Sequence, residues 1–195
     1  MISRTGRLDP GAVAIEALGG EGVERHRGAL IALLTDAVDS GASVGFLPPL
    51  AEAEADAYWK TVAAAVREGT CVLRVARVAE GADAGEGDVV GTAQLLLATR
   101  PNARHRAEVA KVIVHTKARR RGLGRALMLA VEDRARRLGR TTLVLDTRRG
   151  DPSEPLYTSV GYRLAGAIPA YAESADGTLD PSAFYYRLLT EGGQR

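Results

Sequence analysis

Between residues 106 and 146 an alternating apolar run, an arginine- and glycine-rich turn, a helical pattern and a second short apolar run follow one another with no long loop between them. In the first run, Arg106 to His115, the two-residue period of an extended chain places Glu108, Ala110, Val112 and Val114 on one face. Residues 122 to 138 repeat apolar side chains at helical spacing through Leu123, Ala126, Leu127, Ala130 and Val131, and Gly139 stops them. Residues 141 to 146 then read as a short buried strand ending in Asp146. A strand, a helix and a strand in this order predict two parallel neighbours joined by a right-handed crossover, which excludes all-helical and purely antiparallel folds.

The rest of the chain adds antiparallel strands and further helices. Residues 12 to 18 suggest a first strand, residues 23 to 38 an amphipathic helix ending near Gly41, and residues 50 to 68 a second helix closed by Gly69. Runs at 70 to 79 and 88 to 98 read as a hairpin with a loose turn. A short helix at 154 to 160, a strand at 162 to 165 and a last strand at 182 to 189 complete the pattern, with residues 1 to 10 and 190 to 195 expected to be flexible tails. The prediction is a single mixed α/β domain: a central, mostly antiparallel sheet of about six to seven strands with one parallel pair that splays, flanked by about four helices. At 195 residues, 46% hydrophobic and 5% aromatic, the chain supplies one core built mainly from small aliphatic side chains. The single cysteine, Cys71, excludes an internal disulfide and fits a reducing, cytoplasmic setting. No run is apolar enough to cross a membrane and no secretory signal is evident, so no membrane partner is expected. His26, His105 and His115 show no ligand spacing, and no metal is expected.

Charge is nearly balanced, 26 basic against 24 acidic residues, yet Lys117, Arg119, Arg120, Arg121 and Arg125 crowd into the turn with no acid among them. Gly122 and Gly124 let backbone approach a ligand there, and the unpaired amides of a helix start add partial positive charge, so a phosphate or pyrophosphate is the natural guest. The turn is neither a P-loop nor a dinucleotide fingerprint, since no Gly-Lys-Ser/Thr occurs and Leu127 stands where a third glycine belongs. The near-zero net charge and the lack of an aromatic platform argue against nucleic acid as partner.

Arg119, Gly122 and Gly124 after Val112 and Val114, followed by Leu156-Tyr157 and Gly161-Tyr162, resemble the GNAT superfamily of acetyl-CoA-dependent N-acetyltransferases. More narrowly, Gly41-Ala42-Ser43-Val44-Gly45-Phe46, Arg106-Ala107-Glu108-Val109, Leu145-Asp146-Thr147, Pro169-Ala170-Tyr171 and Asp176-Gly177 are similar to the tabtoxin resistance acetyltransferase group, over roughly residues 20 to 190. Two positions differ from the common superfamily pattern: Gly150 replaces an Asn and Ser153 an Ala ahead of the helix tyrosine. The resemblance implies acetyl-CoA as cosubstrate, held along Val112, Ile113 and Val114 and by Arg119, Arg120, Arg121, Gly122, Leu123, Gly124 and Arg125.

Acetyl transfer to nitrogen needs a neutral amine, donors for a tetrahedral oxyanion and a proton for the departing thiolate. Glu108 is the first candidate base, because the strand period aims it the same way as Val112, at the end away from the phosphate turn; related enzymes have a catalytic Glu at this strand position. Asp146 is second in line, to orient the amine or share the base role. The resemblance implies backbone N–H groups near Val112 as oxyanion donors and Tyr157 as the acid that protonates the thiolate. It also brings Ser43, Phe46 and Tyr171, from the loops that face the acceptor in this fold, forward as substrate contacts. The leading expectation is transfer from acetyl-CoA to a small amine, an amino acid-like molecule or an amine toxin or antibiotic, by direct attack in a ternary complex, in a monomer or homodimer. A protein lysine or N-terminal acetyltransferase, which needs an open groove, and a non-catalytic acyl-CoA sensor are the alternatives.

Overall fold

The computed structural model describes residues 13–78 and 89–189. The expected tails and the turn of the 70–98 hairpin lie outside the described residues. Within them the strands are β1 (Val13–Leu18), β2 (Cys71–Val78), β3 (Val89–Leu97), β4 (Arg106–Val114), β5 (Thr142–Arg148), β6 (Arg163–Glu173) and β7 (Leu179–Leu188). The helices are α1 (Gly20–Arg25), α2 (Arg27–Asp39), α3 (Glu52–Arg67), α4 (Leu123–Arg137) and α5 (Glu154–Ser159). They build one seven-stranded sheet in the order β1-β2-β3-β4-β5-β7-β6, in which only β4 and β5 are parallel.

Alternation along the strands feeds two apolar layers. Leu127, Met128 and Val131 of α4 pack with Leu95, Leu143, Tyr157 and Tyr185 on one side of the sheet. On the other, Leu30 and Leu34 of α2 and Trp59 and Val62 of α3 pack with Leu73, Val75 and Ile113. The first predicted helix is in fact two, broken at His26 (φ −97, ψ 16). The break lets α1 lie against α3, where Gly20 comes so close that a β-carbon would stand 2.4 Å from the Arg67 Cγ.

Three strand expectations are corrected. β5 runs two residues past Asp146, so Asp146 lies inside the strand. β6 extends to Glu173 through what reads in the sequence as loop. An edge strand tolerates Pro169, whose missing N–H removes no ladder bond there, and the register with β7 shifts between Ile168 and Ala172, with Ala170 at φ 48.

The third correction concerns the face of Glu108. Gln94 pairs with Ala110 but Thr92 with Ile113, so β4 carries one extra residue, a bulge at Lys111 with φ 48. The Thr92 hydroxyl donates to the Lys111 carbonyl at 2.9 Å and fills the gap in the ladder. The bulge inverts the alternation: Ala107 and Val109 pack toward α4, whereas Ile113 packs toward α2 and α3 and Val112 and Val114 border the α4 layer. Glu108 and Val112 therefore point to opposite faces, and a strict two-residue period does not survive the strand.

Candidate active site

The strand-to-helix turn is anchored before it reaches any ligand. Asp36 of α2 accepts from the Thr116 amide at 2.9 Å and from its hydroxyl at 2.7 Å. The Arg119 guanidinium donates to the Val114 carbonyl at 3.1 Å and to the Ser40 hydroxyl at 2.7 Å, bracing the turn against the end of α2. Arg125 donates to the carbonyl and hydroxyl of Ser159 at 3.2 and 3.3 Å, tying α4 to the end of α5. Arg120 is exposed, with φ 63, and Gly122, at φ 78, has open space where a β-carbon would sit. Beside Gly124 that space is already filled, because a β-carbon would meet the Leu156 Cδ2 at 3.0 Å. Leu123 packs at the margin of the α4 core. The N–H groups of Leu123, Gly124 and Arg125 precede the first bond of the helix, which Ala126 donates to the Gly122 carbonyl at 3.0 Å. An open, left-handed backbone at a helix start amid cationic side chains is a geometry that fits a pyrophosphate.

Beside the turn the sheet opens. β4 pairs with β5 only from Arg106 to Glu108, where Glu108 stands opposite Val144, while β4 continues along β3 to Val114. Beyond Glu108 the β4 amides that face β5 have no strand partner. A cavity of about 280 Å³ occupies the opening, lined by Ser43, Glu108, Lys111, Val112, Asp146, Tyr157 and Tyr171 among others. A larger one of about 510 Å³ adjoins it through Ala42, Ser43, Gly45 and Ala172 and takes in Phe46, Glu54 and Arg148.

The cleft perturbs its titratable groups. Partial loss of water pushes the Glu108 carboxyl above its ordinary value and the nearby Asp146 charge adds to this, against the pull of Lys111 and Arg106. Glu108 itself forms no ion pair among the described residues. Tyr157 is buried between Tyr162 and Tyr185, and burial pushes its phenol up to about 12 despite a hydrogen bond with Ser153. Ser153 also shares a hydrogen bond of 3.1 Å with Thr147, so the hydroxyl that stands where the common superfamily pattern has Ala ties the start of α5 to β5. Burial lowers the pKa of the Lys111 ammonium, against the pull of Glu108 and Asp146, and the group lies 5.8 and 5.5 Å from the ring centroids of Phe46 and Tyr58. The Cys71 thiol is buried and pushed up to about 11, which removes it as a nucleophile at neutral pH.

Of the sequence candidates, Glu108, Val112, Asp146, Tyr157, Ser43 and Tyr171 meet in one cleft, whereas Phe46 lines the adjoining cavity. Ile113 is buried in the α2 and α3 layer, so any ligand contact it makes is through its backbone. Lys111 and Asp36 escape sequence reasoning. The sequence assigns Lys111 no role, because the bulge that turns it into the cleft leaves no local signature, and Asp36 is one of two acids on α2 with nothing in the sequence to set it apart. Among the described residues no group of three or more His, Cys, Asp or Glu is placed to hold a metal, and no helix is long and apolar enough to cross a membrane.

Comparison with known proteins agrees with this geometry. The chain is 34% identical over 122 residues, 62% of its own length and 67% of the relative's, to an uncharacterized N-acetyltransferase in the hisH-hisA intergenic region of Azospirillum brasilense. Its fold matches a GCN5-related N-acetyltransferase from Kribbella flavida with a TM-score of 0.72 at 23% identity, covering 93% of this chain and 100% of that one. It also matches a GNAT superfamily phosphinothricin acetyltransferase from Sinorhizobium meliloti, solved with acetyl-CoA, with a TM-score of 0.71 at 22% identity over 93% and 90% of the two chains. The profile of the acetyltransferase (GNAT) family matches residues 40–162, from the end of α2 through α5, and the chain therefore belongs to that family and is an acetyl-CoA-dependent N-acetyltransferase.

Proposed function

We propose that the acceptor is a small amino acid-like amine, acetylated by direct attack within a ternary complex. The observation that carries this reading is the closure of the groove. Arg148 of β5 donates to the Gly41 carbonyl at 2.9 Å and to the Ser174 hydroxyl at 3.0 Å, linking the loop after α2 to the β6–β7 hairpin. A polypeptide acceptor needs an open trough between those two segments, and this strap spans it. The volumes of about 280 and 510 Å³ on either side of it suit a small molecule.

In this reading the turn from Arg119 to Arg125 holds the pyrophosphate of acetyl-CoA, through open backbone at Gly122 and cationic side chains around it, and Val112, Ile113 and Val114 bind the acyl arm through their main chain. Glu108 takes a proton from the acceptor ammonium, directly or through water, with Asp146 orienting it. The nitrogen lone pair then attacks the thioester carbonyl, and the C–N bond forms as the oxygen gains negative charge. Unpaired β4 amides near Val112 stabilise that oxyanion. The C–S bond breaks, and the proton shed by nitrogen neutralises the sulfur. Tyr157, protonated throughout the neutral range, donates a hydrogen bond to the departing thiolate. Complete transfer of its proton to a thiol titrating near 8.5 would be uphill by about 5 kcal/mol, so the hydrogen bond is the useful contribution. Ser43 and Tyr171 contact the acceptor, with Phe46 behind them. The chain works as one domain, and the segments shared with the tabtoxin resistance group favour an amino acid-like antibiotic or toxin met in the cytoplasm as one such acceptor. The test is thiol release from acetyl-CoA against amino acids, polyamines, aminoglycosides, tabtoxinine-like β-lactams and lysine peptides. Turnover of amino acid-like amines supports the reading, and turnover confined to peptides contradicts it.

A further inference from the structure

Lys111 is held in a conformation that its own backbone disfavours. Among the described residues only Lys111, Arg120 and Ala170 are non-glycine residues with positive φ, and all three border the site: one in the cleft, one in the anion turn, one beside Tyr171. A left-handed lysine costs about 1–2 kcal/mol, which the surrounding structure must offset. The Thr92 hydroxyl on the Lys111 carbonyl does part of this. The consequence is positional, since the bulge turns Lys111 toward the α2 and α3 side of the sheet, into the wall that Glu108 also faces.

The ammonium is received there by aromatic rings rather than by an acid. Phe46 and Tyr58 stand within cation–π reach, their own rings edge-to-face at 5.3 Å. Tyr58 is fixed in turn by hydrogen bonds exchanged with the buried Gln94 side chain at 3.0 and 2.8 Å. Glu108 and Asp146 act on Lys111 through space, yet neither forms an ion pair with it, and the ammonium donates no hydrogen bond to any described residue. The cleft thus holds two poles that are not paired with each other, the carboxylates of Glu108 and Asp146 and an ammonium seated against aromatic rings with three unused donors.

We propose that Lys111 anchors the carboxylate of a zwitterionic acceptor whose ammonium lies at Glu108 and Asp146. This rests on the reading of the cleft as the acceptor site and deepens it by naming the group that selects the substrate. A simple polyamine would set a cation against Lys111, whereas a free amino acid matches both poles. The partial desolvation that lowers the Lys111 pKa strengthens any charge-assisted bond it makes to an incoming carboxylate. The competing account is that Lys111 only offsets the charge of Glu108 and Asp146.

The test compares thiol release for the twenty free amino acids with that for their C-terminal amides, using parent, Lys111→Met, Lys111→Gln and Lys111→Arg proteins whose folding is checked by thermal unfolding. The expected result is a kcat/KM at least tenfold higher for the acid than for the amide in the best pair, carried mainly by KM. That preference collapses toward unity in Lys111→Met and Lys111→Gln and is kept in part by Lys111→Arg. Amides used as well as acids by the parent, or a preference that survives in whichever neutral variant folds, would overturn the inference. So would an equal loss on both members of a pair accompanied by an upward shift of the acidic limb, the signature of a charge-offsetting role. Silence of every pair while polyamines, aminoglycosides or lysine peptides turn over overturns it as well. Turnover of polyamines or aminoglycosides leaves an acetyltransferase acting on some other small amine, and silence of every acceptor with acetyl-CoA still bound counts against both readings.

Discussion

Glu108 and Tyr157 are perturbed in directions that suit their proposed parts, and each direction carries a sign that can be measured. A carboxyl whose folded pKa lies above its unfolded one binds protons more readily in the folded state. Its contribution to stability is therefore favourable at low pH and is lost as pH rises through the window from the ordinary carboxylate value to the raised one. Glu108→Gln is accordingly expected to be at least as stable as the parent at pH 7, by thermal unfolding, while losing activity. Tyr157→Phe removes a buried hydroxyl bonded to Ser153 and is expected to lower kcat by about 10- to 100-fold, in keeping with the loss of one charge-assisted hydrogen bond, about 1.5–3 kcal/mol. Steady-state kinetics at saturating acetyl-CoA checks this, and an unchanged kcat would remove Tyr157 from the chemistry.

At the scale of elements, the sheet is legible in the sequence where a β-branched, apolar run is bounded by turn residues, whether one face of the strand is buried or both. β2, β3 and α4 fall within a residue or two of the pattern, and Gly69, Gly122 and Gly139 all adopt the left-handed conformation at the helix ends they mark. What escapes is irregular geometry. The bulge at Lys111 reverses the faces of Glu108 and Val112, and β6 is hidden because its residues are almost all exposed and include Gly166 and Pro169. Neither a bulge nor a two-sided exposed edge leaves a periodic signal. Of the candidate site, the turn and the carboxylates are readable from residue type, but the lysine that joins them becomes visible only once the strand kinks. Thr92→Val tests the kink itself. Removing the hydroxyl leaves the Lys111 carbonyl without that partner, and the expected cost is about 1–3 kcal/mol in denaturant unfolding, with a larger loss of kcat/KM than that of stability. A variant as stable as the parent would show that the bulge does not depend on Thr92.

Across the whole molecule, two apolar layers on opposite faces hold one splayed sheet, and the proposed function has cosubstrate and acceptor meet at the splay. The α4 layer carries the anion turn, while the α2 and α3 layer carries Phe46, Tyr58 and the wall behind Lys111. In the proposed arrangement acetyl-CoA bridges the layers, so its binding is expected to stabilise the fold. At 100 times its Kd the stabilisation is about 2.7 kcal/mol, a rise in Tm of roughly 5–11 °C for a chain of this size. A thermal shift titration checks this, and no shift at saturating ligand would contradict the placement of the cosubstrate. The central claim, that Glu108 is the base of an amine acetylation, is tested most directly by the pH profile of kcat/KM for thiol release, in parent and Glu108→Gln, with any acceptor that turns over. The account predicts a parental acidic limb above the ordinary carboxylate range and a loss of about 10²–10⁴ in the variant at neutral pH, shrinking at high pH where the amine is already neutral. A variant as fast as the parent at neutral pH, or a loss of the same size at every pH, would contradict it.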